Sequence, residues 1–310
     1  MRELQLAEQA AGLDHSVGEH DRRPGLLRRL AANRPALAAL IALALLVVLT
    51  FGSQFSNVAA RYDPYDDQDY QHVQASPSGD HFFGTDQLGR DTWSRVITGL
   101  RISLQIGLGS QILVLLLGLT IGAAAAIGGR FTDNLLMRLT DVVYAFPDLL
   151  FVILMRSVLA GRDWPLLGDA RLQIMLAIAV VNWTTVARLV RGQMLALRDA
   201  DYVVAAEALG ASRSRLVLRH MLPNTLGPLI VAFTFGIPFA IFAEATLSFL
   251  GFGLPLTEVS LGRLVADGYA YMQINPWLVV FPAGAVALLM LCFTLIGDAL
   301  RDALDPRHKA

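Results

Sequence analysis

The sequence predicts an all-α polytopic membrane protein with about six transmembrane helices. Hydrophobic residues make up 55% of the 310 residues, charged residues only 16%, and the mean hydropathy is +0.51. A soluble domain usually carries about 25% charged residues. The apolar residues are also gathered in runs long enough to cross a bilayer, which is typical of helical membrane proteins.

Six apolar runs are candidate transmembrane helices, because each approaches the roughly 20 residues that a helix needs to cross the hydrocarbon core. They are Pro35–Phe51, Ile102–Ile127, Leu135–Leu159, Leu172–Val190, Leu226–Leu250 and Trp277–Ile296. The third is the least regular, since it contains Asp141, Pro147 and Asp148. The polar start of the chain lacks the early apolar core of a cleavable signal peptide, so the first run is expected to remain as a span.

The distribution of charge predicts which side of the membrane each connection faces. Positive residues gather before span one, between spans two and three, around the connection of spans four and five, and after span six: Arg22, Arg23, Arg28, Arg29, Arg34, Arg130, Arg138, Arg188, Arg191, Arg198, Arg213, Arg215, Arg219, Arg301, Arg307 and Lys309. The connection of spans one and two is instead acidic, with Asp63, Asp66, Asp67, Asp69, Asp80, Asp86 and Asp91 against Arg61 and Arg90. The positive-inside rule then places both termini in the cytoplasm and the acidic connection outside.

These assignments divide the chain into five parts. They are a cytoplasmic N-terminal tail (1–34), a first transmembrane helix (35–51), an extracytoplasmic segment (52–98), a transmembrane core (99–298) and a cytoplasmic C-terminal tail (299–310). Within the core, the fourth-to-fifth connection forms a cytoplasmic loop at 191–225.

This cytoplasmic loop has more predicted order than a simple connection requires. Asp201 can cap a helix over Tyr202–Leu209, which is rich in alanine. Gly210 can adopt the positive φ that ends a helix. The sequence therefore predicts a short helix followed by a glycine elbow.

A second helix is predicted after the elbow. Ser212 can cap a helix over Arg213–His220, and Pro223 should stop it because the residue before a proline avoids the α region. Two interpretations of the pair remain open, namely a solvated surface hairpin and a docking element for a cytoplasmic partner. The small side chains of Ala205, Ala206 and Ala208 favour close approach by another protein.

The same loop resembles the EAA loop of ABC importer permeases, which reads E-A-A, three residues, G, nine residues, I, one residue, L-P. The matching residues are Ala205, Ala206, Gly210, Leu222 and Pro223. Val204 stands in place of the glutamate and His220 in place of the isoleucine, while Glu207 lies one turn on and can partly replace the lost carboxylate. The resemblance implies that the loop, including Ala211 and Ser212, is a coupling element that sits in a groove of an ATP-binding subunit.

A second stretch, Phe83–Gly107, resembles the segment before span two in the C-component permeases of dipeptide, oligopeptide and nickel importers. The matching residues are Gly84, Thr85, Asp86, Gly89, Arg90, Asp91, Ser94, Arg95, Gly99, Arg101, Ser103 and Leu104. Further matches lie at Arg138–Leu150, Glu244–Gly253 and Gly297–Arg307, so the resemblance covers the chain from about Leu27 onward.

Membership in that family would imply a type I ABC importer permease fold in a bacterial plasma membrane. The expected partners are a homologous second permease that forms a heterodimer with this chain, two cytoplasmic ATP-binding subunits, an extracytoplasmic substrate-binding protein, the lipid bilayer and a dipeptide or oligopeptide substrate. ATP and Mg²⁺ would bind the ATPase subunits, so no cofactor and no nucleic acid is expected on this chain.

Two polar features outside the loop have alternative interpretations. Asp86 and Arg90 are spaced for an i, i+4 pair if their segment is helical, and Trp93 and Arg95 suit an amphipathic segment at the outer interface. We expect this region to be a structural anchor for span two rather than a substrate contact. Glu244, in the outer half of span five, is expected to face the protein interior, either in the translocation path or in a buried hydrogen bond.

The sequence lacks the motifs of an enzyme. No G-x-x-x-x-G-K-[ST] phosphate loop occurs, no pair of histidines has metal-ligand spacing on one helix, and no nucleophile lies beside a base. Two alternatives to a peptide importer remain. One is a permease for nickel chelates or another small solute, and the other is a secondary carrier or channel that acts alone.

Overall fold

Long helices make up most of the chain in a computed structural model that describes residues 33–53, 60–159, 168–255 and 257–304. The helices in these ranges are α1 (Arg34–Gly52), α2 (Thr92–Ile127), α3 (Gly129–Tyr144), α4 (Asp148–Leu159), α5 (Ala170–Arg198), α6 (Asp201–Ala208), α7 (Arg213–Phe249), α8 (Leu261–Tyr269) and α9 (Trp277–Leu304). The described ranges hold an isolated antiparallel bridge between Thr85 and Asp91 and no longer strand. The predicted all-α class is confirmed.

Five of these helices, α1, α2, α5, α7 and α9, are long and apolar enough to cross a membrane. The predicted third span is not one straight helix, because α3 and α4 meet at an angle of 94°. The break surrounds Pro147, whose ring lacks an N–H donor and disfavours helical geometry in the residue before it. Counting the bent pair as one span gives the sixth predicted crossing.

Helix α2 occupies the centre of the packing and contributes to three clusters of buried apolar side chains. Its most extensive contact is with α5. Glycines make this contact close: a Cβ placed on Gly122 would lie 2.5 Å from the Ala187 carbonyl oxygen, and one on Gly118 would lie 2.5 Å from the Val186 Cβ. Small residues allow such close helix contacts in membranes, where packing rather than water exclusion holds helices together.

Helix α7 differs from the prediction that Pro223 ends a short helix. The chain stays helical from Arg213 to Phe249, through a π-helical turn at Leu216–Met221. In that turn the Leu222 N–H reaches back five residues to the Val217 carbonyl. The helix is therefore already widened where Pro223 enters, and a wide turn can accept a residue that has no N–H to donate. The second helix of the loop and span five form one continuous element.

Two polar regions lie near opposite ends of α2. Residues 60–91, which we call the outer segment after their predicted side, lead into its N-terminus. Near its C-terminus lies the inner hairpin, which we define as α6, residues 209–212 and the first turns of α7. Because α2 has 36 residues, its ends are about 54 Å apart at 1.5 Å per residue. Six of the positively charged residues used to predict the orientation lie outside the described residues: Arg22, Arg23, Arg28, Arg29, Arg307 and Lys309.

Candidate functional site

The inner hairpin contains the elbow that the sequence predicts. Gly210 has φ +83°, which confirms its predicted left-handed conformation. The Gly210 N–H donates to the Glu207 carbonyl (2.9 Å) and the Ala211 N–H to the Ala206 carbonyl (3.1 Å). These two bonds form a Schellman motif, the common way to satisfy the last carbonyls of a helix. The elbow is thus closed by backbone hydrogen bonds alone.

The N-terminal caps of the two hairpin helices differ from those that the sequence predicts. Asp201 is the first residue of α6 rather than its cap, since Ala200 takes the cap position and no side chain bonds there. The Asp201 carboxylate lies in the first turn, where it stabilises the positive end of the helix dipole. Ser212 holds the cap position of α7, but its hydroxyl lies 3.3 Å from the Ser214 hydroxyl and makes no capping bond.

One face of the hairpin is anchored to the body of the protein. Val203, Leu216 and Val217 are buried in a cluster with Val190 and Met194 of α5. Ala206, Ala211 and Leu222 pack against the same cluster. The predicted small-residue face is therefore divided, because Ala206 points to the protein while Ala205 and Ala208 are exposed.

The opposite face of the hairpin is open. The exposed residues of the hairpin are Val204, Ala205, Glu207, Ala208, Gly210, Ser212, Arg213, Arg215, Arg219 and Pro223, among others, and His220 is half-buried; Glu207 and Arg213 also border a cavity between the hairpin and the protein body. Leu209 at the tip is 90% exposed, the largest exposed fraction among the large hydrophobic side chains of the described residues. The sequence analysis missed Leu209. The sequence carried no specific signal for it, because a single exposed apolar residue is ordinary on a protein surface.

The outer segment folds through its own polar side chains. Gly84 and Gly89 have φ values of +72° and +74°, and a Cβ on either would lie within 2.4 Å of a backbone oxygen. The Ala75 N–H donates to the Thr85 hydroxyl (2.9 Å), and the Thr85 N–H donates to the Ala75 carbonyl (3.1 Å). These family-matching residues close the turns that bring the segment back to α2.

Asp86 and Arg90 form the predicted pair, with Nη2 and Oδ2 2.8 Å apart, but in a turn instead of a helix. Asp86 Oδ1 also accepts the backbone N–H groups of Leu88 (2.9 Å) and Arg90 (3.0 Å). A carboxylate that accepts neighbouring N–H groups favours a turn, which explains why the spacing did not give a helix.

Asp91 and Arg95 join the outer segment to the start of α2. Asp91 Oδ2 accepts the Ser94 N–H (2.8 Å) as the helix cap, while Oδ1 lies 2.9 Å from His81 Nδ1. Arg95 is 3% exposed and donates to the Pro64 carbonyl (3.1 Å), with Asp86 Oδ2 at 3.6 Å from its Nε. The Arg95 side chain is therefore buried within the protein near Asp86 instead of lying on the exposed surface of an amphipathic segment.

Asp267 of α8 adds a second carboxylate near these arginines. Burial raises the pKa of Asp267, and the charge of Arg263, 2.9 Å away, lowers it in part. Weaker attraction from Arg95 and Arg90 acts in the same direction as Arg263. The outer segment and α8 thus share one charge cluster.

Glu244 lies inside the protein, as the sequence predicts, and is 0% exposed. Its Oε1 accepts the Ser248 hydroxyl (2.8 Å) and its Oε2 the Ser103 hydroxyl (3.1 Å). Ser103 Oγ also accepts the Leu261 N–H (3.3 Å). Glu244 therefore connects α7, α2 and α8, and this geometry favours the structural hydrogen bond over a position in an open path.

The histidines of the outer segment contact carboxylates. His72 Nδ1 lies 2.8 Å from Asp69 Oδ2, and His81 Nε2 lies 3.7 Å from the same oxygen. The hydrogen bond from His72 lowers the pKa of Asp69. In the described part of the chain, no group of three or more His, Cys, Asp or Glu side chains could hold a metal ion.

Comparison with known proteins identifies relatives over most of the chain. Residues 115–310 match the family described as "Binding-protein-dependent transport system inner membrane component". The chain is 39% identical to the oligopeptide transport system permease protein OppC of Bacillus subtilis, with 90% of this chain and 88% of that protein covered. It is 38% identical to OppC of Escherichia coli K12 (91% and 90% covered) and 35% identical to the dipeptide transport system permease protein DppC of Alkalihalophilus pseudofirmus (91% and 89% covered).

Solved structures give a matching fold at lower identity. A chain of the inward-facing MetNI methionine ABC transporter superposes with a TM-score of 0.53 at 18% identity, covering 68% of this chain and 96% of that chain. A second crystal form of the same transporter gives a TM-score of 0.55 at 16% identity. This likeness confirms the predicted importer-permease fold and concerns the fold alone.

Proposed function

The chain belongs to the family of binding-protein-dependent transport system inner membrane components, and we propose that it is the permease subunit of an ATP-driven importer of dipeptides or oligopeptides. It is a multi-pass membrane protein of the C-component type. The peptide substrate is supported by the names of relatives that are 35–39% identical over most of this chain.

The proposed mechanism rests on one observation, which is that α7 is a continuous helix. The inner hairpin leads without a helix break from Arg213 into the membrane-crossing part of the helix that ends at Phe249. Its inner face is fixed to α5 by buried side chains, and its tip presents Leu209 outward. A partner that moved this tip would displace α7 itself, because a packed helix moves as a rigid body between discrete arrangements.

The proposed partners are those that membership in this family implies. Two ATP-binding subunits grip the inner hairpin of this chain and of a homologous second permease, and the substrate path forms between the two permeases. ATP binding closes the ATPases, the hairpin follows, and the path opens outward to receive peptide from an extracytoplasmic binding protein. ATP and Mg²⁺ bind the partner ATPases, and this chain is not an enzyme.

The orientation is proposed from charge. Arg191, Arg198 and Arg213 lie near the hairpin, while the acidic outer segment lies at the opposite end of α2. The positive-inside rule then puts the hairpin and both termini in the cytoplasm of a bacterium, with the chain in its plasma membrane.

The two alternatives receive less support. A nickel-chelate importer would share this architecture, but the relatives named above carry peptide transport names. A carrier acting alone does not fit a family whose description requires a binding protein. Uptake of peptides and of nickel chelates by the purified complex distinguishes the first alternative directly.

The proposal is tested by Leu209→Asp. Because Leu209 is 90% exposed, the substitution should change the free energy of unfolding by no more than about 0.5 kcal/mol. It should nevertheless abolish copurification of the ATPase subunits and lower ATP-driven peptide uptake at least tenfold, since a carboxylate replaces the apolar tip. Tyr70→Asp, at a 76% exposed side chain of the outer segment, should leave ATPase copurification unchanged. Normal ATPase binding by Leu209→Asp, or uptake with no ATPase present, would contradict the proposal.

A further inference from the structure

A cavity of about 340 Å³ lies behind the inner hairpin, and the proposed function gives it no role. It is bounded by the ends of α2 and α5, the start of α3, and the two helices of the hairpin. We call it the inner cavity. Its volume falls within the roughly 300–1,000 Å³ typical of small-molecule sites.

The charged lining of the inner cavity is predominantly positive. Arg130, Arg198 and Arg213 come from α3, α5 and α7 and form no ion pair with any described residue. The acidic lining residues are Glu207 and Asp133, and Asp133 is already bound by Arg191 of α5. The lining therefore includes three arginines, with Glu207 as the one lining carboxylate not already bound to an arginine in the described chain.

The remaining lining is apolar. Ile127 at the end of α2, Val203 of α6 and Val217 of α7 contribute hydrocarbon surface. Because the apolar sequence of α2 ends at Ile127 and Arg130 follows shortly after it, the cavity lies at the level of the inner membrane surface in the proposed orientation. Basic pockets between helices on the cytoplasmic side of a membrane suit the anionic head groups of lipids.

We propose that the inner cavity binds a phosphate-bearing anion, either the head group of an anionic phospholipid or a soluble phosphate. Guanidinium groups match phosphate oxygens in charge and in hydrogen-bond geometry. A phosphate held by Arg213 of the hairpin together with Arg130 and Arg198 joins the hairpin to α3 and α5. The ligand stiffens the hairpin behind the surface that the ATPase grips. The cytoplasmic location of the cavity and the ATPase contact of the hairpin rest on the proposed function, whereas phosphate binding itself does not.

The test uses the full chain purified alone in a neutral glycoside detergent, where its thermal midpoint is measured. One arm adds phosphatidylglycerol, and the other adds inorganic phosphate at an ionic strength matched with chloride. The test variant is Arg198→Gln/Arg213→Gln. The control, Arg215→Gln/Arg219→Gln, removes the same charge from exposed arginines of the same hairpin that do not line the cavity.

At saturating probe, the wild-type chain and the control should gain about 3 °C in thermal midpoint, and the test variant should lose that gain. A gain with phosphatidylglycerol alone identifies a lipid head group, and a gain with inorganic phosphate identifies a soluble ligand. No gain with either probe, or equal gains in the two variants, overturns the proposal. The assay contains neither ATPase nor peptide, so its failure leaves the proposed function intact, and a failure of hairpin docking would leave this result unchanged.

Discussion

The outer segment and the inner hairpin both carry family-matching residues, yet they use them in opposite ways. In the outer segment and the first turn of α2, Asp86, Asp91 and Arg95 are buried and satisfy one another or nearby backbone groups. In the inner hairpin the elbow is closed by backbone bonds alone, and the side chains at its tip are exposed. Polar residues with internal partners organise the chain, whereas side chains left without internal contacts are free to bind another protein.

The largest effect is expected from removing a buried charge of the outer segment. Asp86→Ala removes the carboxylate closest to Arg90 and Arg95, leaving the weaker attraction of Asp267, and should lower the free energy of unfolding by about 3–5 kcal/mol. Thermal unfolding in detergent measures the change. Asp80→Ala, at an exposed acid of the same segment, should remain within about 0.5 kcal/mol of wild type. Equal stability of the two variants would show that the outer segment is not held by its buried charges.

A loss of stability is also expected when Glu244, the buried carboxylate of α7, is replaced. Glu244→Ala removes the acceptor of Ser103 and Ser248 and should cost about 2–4 kcal/mol of unfolding free energy. Glu244→Gln keeps one acceptor oxygen, so it should cost about 1 kcal/mol and leave peptide uptake near the wild-type rate. Loss of uptake by a stably folded Glu244→Gln chain would instead assign Glu244 to the translocation path.

A smaller effect on stability is expected at the elbow. Gly210→Ala forces a Cβ into the left-handed region and should cost about 1–2 kcal/mol, although no atom lies within 4 Å of that Cβ. Uptake should fall several-fold, because the strained elbow shifts the hairpin relative to the ATPase. Gly192→Ala is the matched control: it also has open space, but it lies inside α5, where alanine should stabilise the chain by about 0.5–1 kcal/mol. Uptake at the wild-type rate by the Gly210→Ala chain would mean that the angle of the elbow does not affect transport.

Features that depend on neighbouring residues in the sequence could be predicted, whereas features that depend on tertiary contacts could not. The apolar runs and the positive φ of Gly210 depend on nearby residues, so both were predictable. The burial of Arg95 depends on Asp86, on Pro64 and on the way the outer segment returns to α2, and no residue spacing encodes it. The continuity of α7 past Pro223 likewise depends on a π-helical turn, which no sequence rule used above anticipates.

The position of the candidate site in the sequence could be predicted, but which of its side chains are exposed could not. The family-matching positions located the hairpin, but Ala206 is partly buried while Ala205 beside it is exposed. That division follows from how α6 packs on α5 and α7. The inner cavity was not predictable, since Arg130 comes from a helix that is distant in sequence from Arg198 and Arg213.

The central claim is that the inner hairpin, and not the outer segment, is held by a nucleotide-binding partner. A photoreactive amino acid placed at Leu209 and, separately, at Tyr70 tests it in the assembled complex, since both side chains are largely exposed. Irradiation should link the Leu209 position to an ATP-binding subunit and leave the Tyr70 position free of that adduct. Adducts to the ATPase from Tyr70, or none from Leu209, would contradict the account.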